Sequence, residues 1–66
     1  MSIDIDFLNK ALQNEKAALS NAQAAYYHFR DSGNEKMAAA LKEIMQDEAR
    51  HVVMITQLLK KKTEEE

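Results

Sequence analysis

Apolar residues recur along this chain at alternating steps of three and four, and they do so twice, on either side of one interruption. Leu8, Leu12, Leu19, Ala22, Tyr26 and Phe29 make the first series; Met37, Leu41, Ile44, Ile55 and Leu58 make the second. That spacing keeps each series on one face of an α-helix. The interruption is Asp31-Ser32-Gly33-Asn34-Glu35, which holds the chain's single glycine, and there is no proline anywhere. Glycine suits the left-handed residue that closes a helix, and Ser32 with Glu35 three residues on has the form of a capping box for the next one. The pattern predicts helices over about 5–31 and 34–61, a turn at 32–33 and a tail over 62–66, in one all-α helical-hairpin domain spanning 1–66. Abundant Ala, Leu, Lys, Glu and Gln favour helix on propensity as well.

A turn this short makes the two helices antiparallel neighbours, so paired residues have a nearly constant sum of positions. Leu12 then faces His51, Leu19 faces Ile44, Ala22 faces Leu41 and Tyr26 faces Met37. Both stripes are broken by polar residues at one level: Glu15 in the first, Glu48 and His51 in the second.

Two helices cannot enclose a core between themselves, and each leaves a flank of its stripe open. Ala11, Ala18 and Ala25 widen the first apolar face, while Met45, Val52 and Leu59 widen the second. A two-fold dimer of hairpins, forming a four-helix bundle, covers both flanks. Length points the same way, because a 66-residue chain buries only about 60% of its unfolded surface and is marginal alone. With no cysteine, neither a disulfide nor a thiolate-bound zinc can staple it. Oligomerisation, or a metal on oxygen and nitrogen ligands, remains.

Charge narrows the partners. A net charge of −2 and a pI near 5.6 argue against a nucleic-acid surface. The one basic run, Lys60-Lys61-Lys62, reads as cations complementing the carbonyl end of a helix, followed by Glu64-Glu65-Glu66 as a solvated tail. No segment approaches the ~18 apolar residues of a membrane span, and the acidic start lacks the form of a secretory signal. The expected setting is the cytoplasm, with no membrane partner.

The carboxylates carry the chemistry. Placing an ionised carboxylate in an apolar seam costs several kcal/mol unless a cation or a proton compensates. Two-fold symmetry would gather Glu15, Glu48 and His51 of each chain into four carboxylates and two imidazoles, strongly self-repelling without a cation. Residues three apart share a helix face, so Glu48 can bridge two ions while His51 takes a terminal position on one. Four-helix bundles hold dinuclear centres with this inventory, a Glu from each of two helices and a Glu-x-x-His pair from each of the others. Oxygen and imidazole donors suit iron, with manganese or zinc as alternatives. The competing reading leaves Glu15 and Glu48 partly exposed or paired with Lys16 or Arg50, and His51 as an ordinary interior histidine.

From Leu8 to Leu59 the chain resembles one half of the rubrerythrin and ferritin-like di-iron carboxylate superfamily. The resemblance rests on a first helix with one Glu, a short glycine-containing turn, and a second helix carrying Asp47-Glu48-Ala49-Arg50-His51, with 33 residues from Glu15 to Glu48. It implies that Glu15, Glu48 and His51 are metal ligands and that Asp47 orients a histidine from outside the coordination sphere. Most members carry two such halves in one chain. A single half implies a site shared between two chains, as in encapsulated ferritin-like proteins. The chain departs from the pattern in three ways: it has no cysteine for a rubrerythrin iron domain, Ala22 stands where some relatives have tyrosine, and its Lys/Glu-rich end does not look like a shell-targeting extension.

The expected chemistry is oxidation of Fe(II) by dioxygen or peroxide in a homodimer or a multiple of dimers. A metal-sequestering module with the same ligands and a metal-free helical-hairpin interaction protein are the rivals. Tyr26, Tyr27 and Phe29 are expected to pack near the turn. His28 is expected at the surface, and Met37, Met45 and Met54 as adaptable core filler.

Overall fold

The computed structural model describes residues 2–65. Two helices, α1 (Ile3–Asp31) and α2 (Glu35–Glu65), form an antiparallel hairpin, and there is no strand among the described residues. The molecule is a rod of 50 × 14 × 10 Å.

The turn is built by its own residues. Gly33 adopts φ 79°, its N–H bonds the Arg30 carbonyl at 3.1 Å, and the Asn34 N–H reaches back to the Phe29 carbonyl at 2.9 Å. This pair of bonds satisfies two carbonyls at the end of α1 and requires the left-handed backbone that glycine accepts without strain. The expected capping box is not formed. Asn34 caps α2 instead, its Oδ1 accepting from the Met37 N–H at 3.1 Å, while the Ser32 hydroxyl donates to the Phe29 carbonyl at 3.2 Å. Asn is as good a cap as Ser, and it stands one residue from where the helical backbone begins.

Both helices run further than their patterns suggest. α1 starts at Ile3, because Ser2 Oγ accepts from the Ile5 N–H at 3.3 Å. α2 continues through the expected tail to Glu65. Lys62 ties this end down, reaching Asp4 on α1 at 3.2 Å and Glu65 at 3.8 Å. Lysines and glutamates three apart on a helix support it through such pairs, so their composition marked helix rather than tail. Glu66 lies outside the described residues.

Helix α1 packs with the expected stripe, since Leu8, Leu12, Glu15, Leu19, Ala22, Tyr26 and Phe29 are all buried or half-buried. Helix α2 is rotated from expectation. Met37, Ile44 and Leu58 are about half exposed, whereas Ala38, Met45, Val52 and Leu59 turn inward beside Leu41, Glu48 and Ile55. The expected flank is the core, and part of the expected core is the flank. Two apolar stripes run side by side on this helix, and the inner one includes small Ala38, buried near the turn. Tyr27 also departs from the core, lying exposed with the Arg30 guanidinium 4.8 Å from its ring centre, while His28 is exposed as expected.

The hairpin has almost no interior. Among the described residues only Ala22 and Ala38 are buried, and no side chain is fully enclosed. Its accessible surface is 5120 Å², where a compact monomer of 7.5 kDa would expose about 4,200 Å².

Candidate metal centre

Glu15 lies midway along α1 on its inward stripe. Glu48 and His51 lie one turn apart on α2, which directs both side chains toward the same neighbour. Antiparallel packing brings the three together: one donor atom from each lies within 4.8 Å of the other two. His51 Nδ1 stands 3.5 Å from Glu15 Oε2 and 4.0 Å from Glu48 Oε2. The side chains retain 30% (Glu15), 22% (Glu48) and 41% (His51) of their exposure, so the cluster is half sunk in the groove between the helices and open on one side.

The cluster's electrostatics are unfinished. Glu15 Oε2 is shut off from solvent without a hydrogen-bond donor; at 3.5 Å the His51 nitrogen is an ion-pair neighbour rather than a good donor. The Glu48 carboxyl is held above its ordinary value of 4.5. The first cause is that its protonated form shares a hydrogen bond with Glu15, then come desolvation and the Glu15 charge; Asp47 adds slightly and His51 opposes. Two carboxylates competing for one proton are also two carboxylates ready to share a cation.

The donor set could hold a metal ion. Donors on one ion with bonds of about 2.1 Å lie about 3 to 4.2 Å apart, and the two histidine–carboxylate separations fall in that range. Two carboxylates and one imidazole are three donors, which leaves an ion with further positions to fill. The proposed surface partners do not compete for them. Arg50 turns away to Asp47 at 3.5 Å, and no ion pair joins Lys16 to Glu15 among those found in the described residues. Asp47 thus engages Arg50, not His51 of its own chain.

Two grooves run along the hairpin. Glu15 and His51 line one with Met54, Ile55 and Leu58. Leu19 and Met45 line the other, with Gln23, Lys42, Gln46 and Ala49. Met54 was expected in the core; it is 49% exposed and belongs to the groove of the cluster. The signal was in the sequence, since Met54 follows His51 by three residues and precedes Leu58 by four, the step of a shared face. No family model matches the chain, and no match to it was found among curated proteins or solved structures. Among the described residues, no helix is long and apolar enough to cross a membrane.

Proposed function

We propose that two copies of this hairpin pack groove to groove into a four-helix bundle, and that Glu15, Glu48 and His51 of each copy hold a dinuclear iron centre between them. On this reading the hairpin is related to one half of the rubrerythrin and ferritin-like di-iron proteins, and its activity is oxidation of Fe(II). The observation that carries the reading is the convergence of three donors around a carboxylate oxygen that is buried without a hydrogen bond.

Two features support the second copy. Three donors are too few for two ions, and the surface beside them is apolar and uncovered, with Met37, Ile44 and Leu58 half exposed. Seven-residue steps put these three on the same edge of α2 as His51. The hairpin's excess surface is about 900 Å², against the ~800 Å² each partner contributes to a standard interface. Covering the groove would also exclude water from the cluster and strengthen every charge interaction within it.

Each side chain has a definite task. Glu15 and Glu48 would hold the ions as anionic donors, and His51 would supply a neutral donor whose other ring nitrogen is left to an orienting acceptor. Asp47 of the partner subunit is the proposed acceptor. Iron held there would supply one-electron chemistry toward dioxygen or peroxide, and the two carboxylates would offset the change in charge. Manganese or zinc would occupy the same donors without the same reactivity.

The test is metal content per chain of natively purified protein together with its solution mass, followed by anaerobic Fe(II) loading and exposure to air. One metal per chain in a dimer or a multiple of dimers, with repeated rounds of oxidation, is expected. A metal-free monomer would sink the reading. Stoichiometric binding with a single slow oxidation would replace the oxidase with a sequestering protein.

A further inference from the structure

The methionines of α2 sample three environments around the cluster. Met54 lines the groove of Glu15 and His51, one turn beyond His51 on the same helix. Met37 is equally exposed, 52% against 49%, but lies eleven residues before Glu48, roughly 16 Å along the helix at 1.5 Å per residue. Met45 is only three residues from Glu48, yet it lines the opposite groove with Leu19 and Gln23. Exposure and proximity are therefore separated within one helix. Thioethers are the side chains that peroxide converts most readily in a chain without cysteine, and conversion requires no ionisation or base.

We propose that Met54 is a modification site, a thioether that traps peroxide formed at the neighbouring iron-oxidising cluster. The inference rests on the reading of Glu15, Glu48 and His51 given above. Two Fe(II) ions, as substrate, give two electrons to one dioxygen molecule, which takes up two protons and becomes hydrogen peroxide. The Met54 sulfur then attacks one peroxide oxygen. An S–O bond forms as the O–O bond breaks, the sulfur is oxidised by two electrons, and the second oxygen leaves as water. The product is methionine sulfoxide, and the balance needs no further oxidant or reductant. Met54 shares one groove with Glu15 and His51, so peroxide leaving the cluster along that groove passes the Met54 thioether.

The experiment is peptide mass spectrometry of the intact-chain protein after anaerobic Fe(II) loading and admission of air, with iron oxidation followed in parallel by absorbance. Gain of one oxygen at Met54 is expected to exceed that at Met37 and Met45 by about fivefold or more. Bulk hydrogen peroxide added to the metal-free protein at a concentration where sedimentation shows the uncovered single hairpin should instead follow exposure, modifying Met54 and Met37 alike and Met45 least. Glu48→Gln should abolish the Met54 preference in the iron experiment while leaving the bulk-peroxide pattern unchanged. Iron oxidised with equal gain at Met54 and Met37, or with no gain at Met54, overturns the trap and leaves the metal reading standing. No iron oxidation at all overturns both.

Discussion

The two grooves of this hairpin are made by the same pair of helices and differ in what rims them. One has Gln23, Lys42 and Gln46 beside Leu19 and Met45 and holds no carboxylate. The other exposes Met54 and Leu58 and carries Glu15 and His51 at its floor. Apolar rims around a cluster of carboxylates form an unstable surface in water: the rim favours burial, and the floor resists it. A cation resolves the conflict, because it permits the carboxylates to be buried along with the rim. On the proposed reading, assembly and metal binding become a single problem at the second groove, because the donors and the apolar rim lie together there.

The strongest way to break the comparison is to charge each groove in turn. Ile44→Lys places an ammonium on the edge shared with His51 and Leu58, and it should weaken the proposed dimer by about 100-fold or more in sedimentation. Gln23→Lys in the other groove should leave mass unchanged and stability within about 0.5 kcal/mol. If both variants stay dimeric, the second groove is not the interface.

Removing a donor is the next largest change. His51→Ala should lower metal affinity by more than about 100-fold, while Arg50→Ala, whose partner is Asp47, should change it by much less; isothermal titration with Fe(II) or Zn(II) reads both. Metal should in turn stabilise the wild-type chain against urea by about 3 kcal/mol at a hundred times its dissociation constant, a shift that His51→Ala should lose.

A smaller, pH-dependent effect sharpens the account of the floor. Because Glu48 is held above 4.5 in the folded chain, folding favours its protonated form. That contribution is complete below about pH 4.5 and is lost as pH rises through the raised folded value. The metal-free protein should therefore lose stability from mildly acidic toward neutral pH, and Glu48→Gln should flatten the slope in urea melts. Metal affinity should run the other way and rise with pH, since the ion competes with the proton. A metal-free stability that climbs through this window would remove the proton-sharing pair from the argument.

The smallest effect serves as a control for both grooves. Asn34→Ala removes the cap of α2 and should cost about 1 kcal/mol, read by thermal melting, without altering metal stoichiometry. A changed stoichiometry would mean that the turn, rather than the packed stripes, sets the level of Glu15 against Glu48.

Much of this was legible before any coordinates. One glycine in the only turn-like cluster divided the chain, and the antiparallel pairing put Glu15 at the level of Glu48 and His51, where the donors meet. Local chemistry was less legible. Ser32 and Asn34 are both good caps, and which one works depends on where the backbone leaves the left-handed Gly33. The Lys/Glu-rich end of α2 read as a solvated tail, but a Lys62–Asp4 contact across the hairpin holds it helical to Glu65. Such a contact is invisible to any pattern confined to one helix.

By itself the sequence determined two helices, their antiparallel order and the level at which three metal-type donors meet, because periodicity and a single break are properties of local backbone chemistry. The tertiary structure alone decided which way α2 faces. Apolar residues occupy both the Met37-Ile44-Leu58 edge and the Ala38-Met45-Val52-Leu59 edge, so hydrophobicity is degenerate between them. Packing against α1 breaks that degeneracy: it takes the second edge inward, with Ala38 buried, turns the first edge outward and leaves His51 and Met54 together on the open groove.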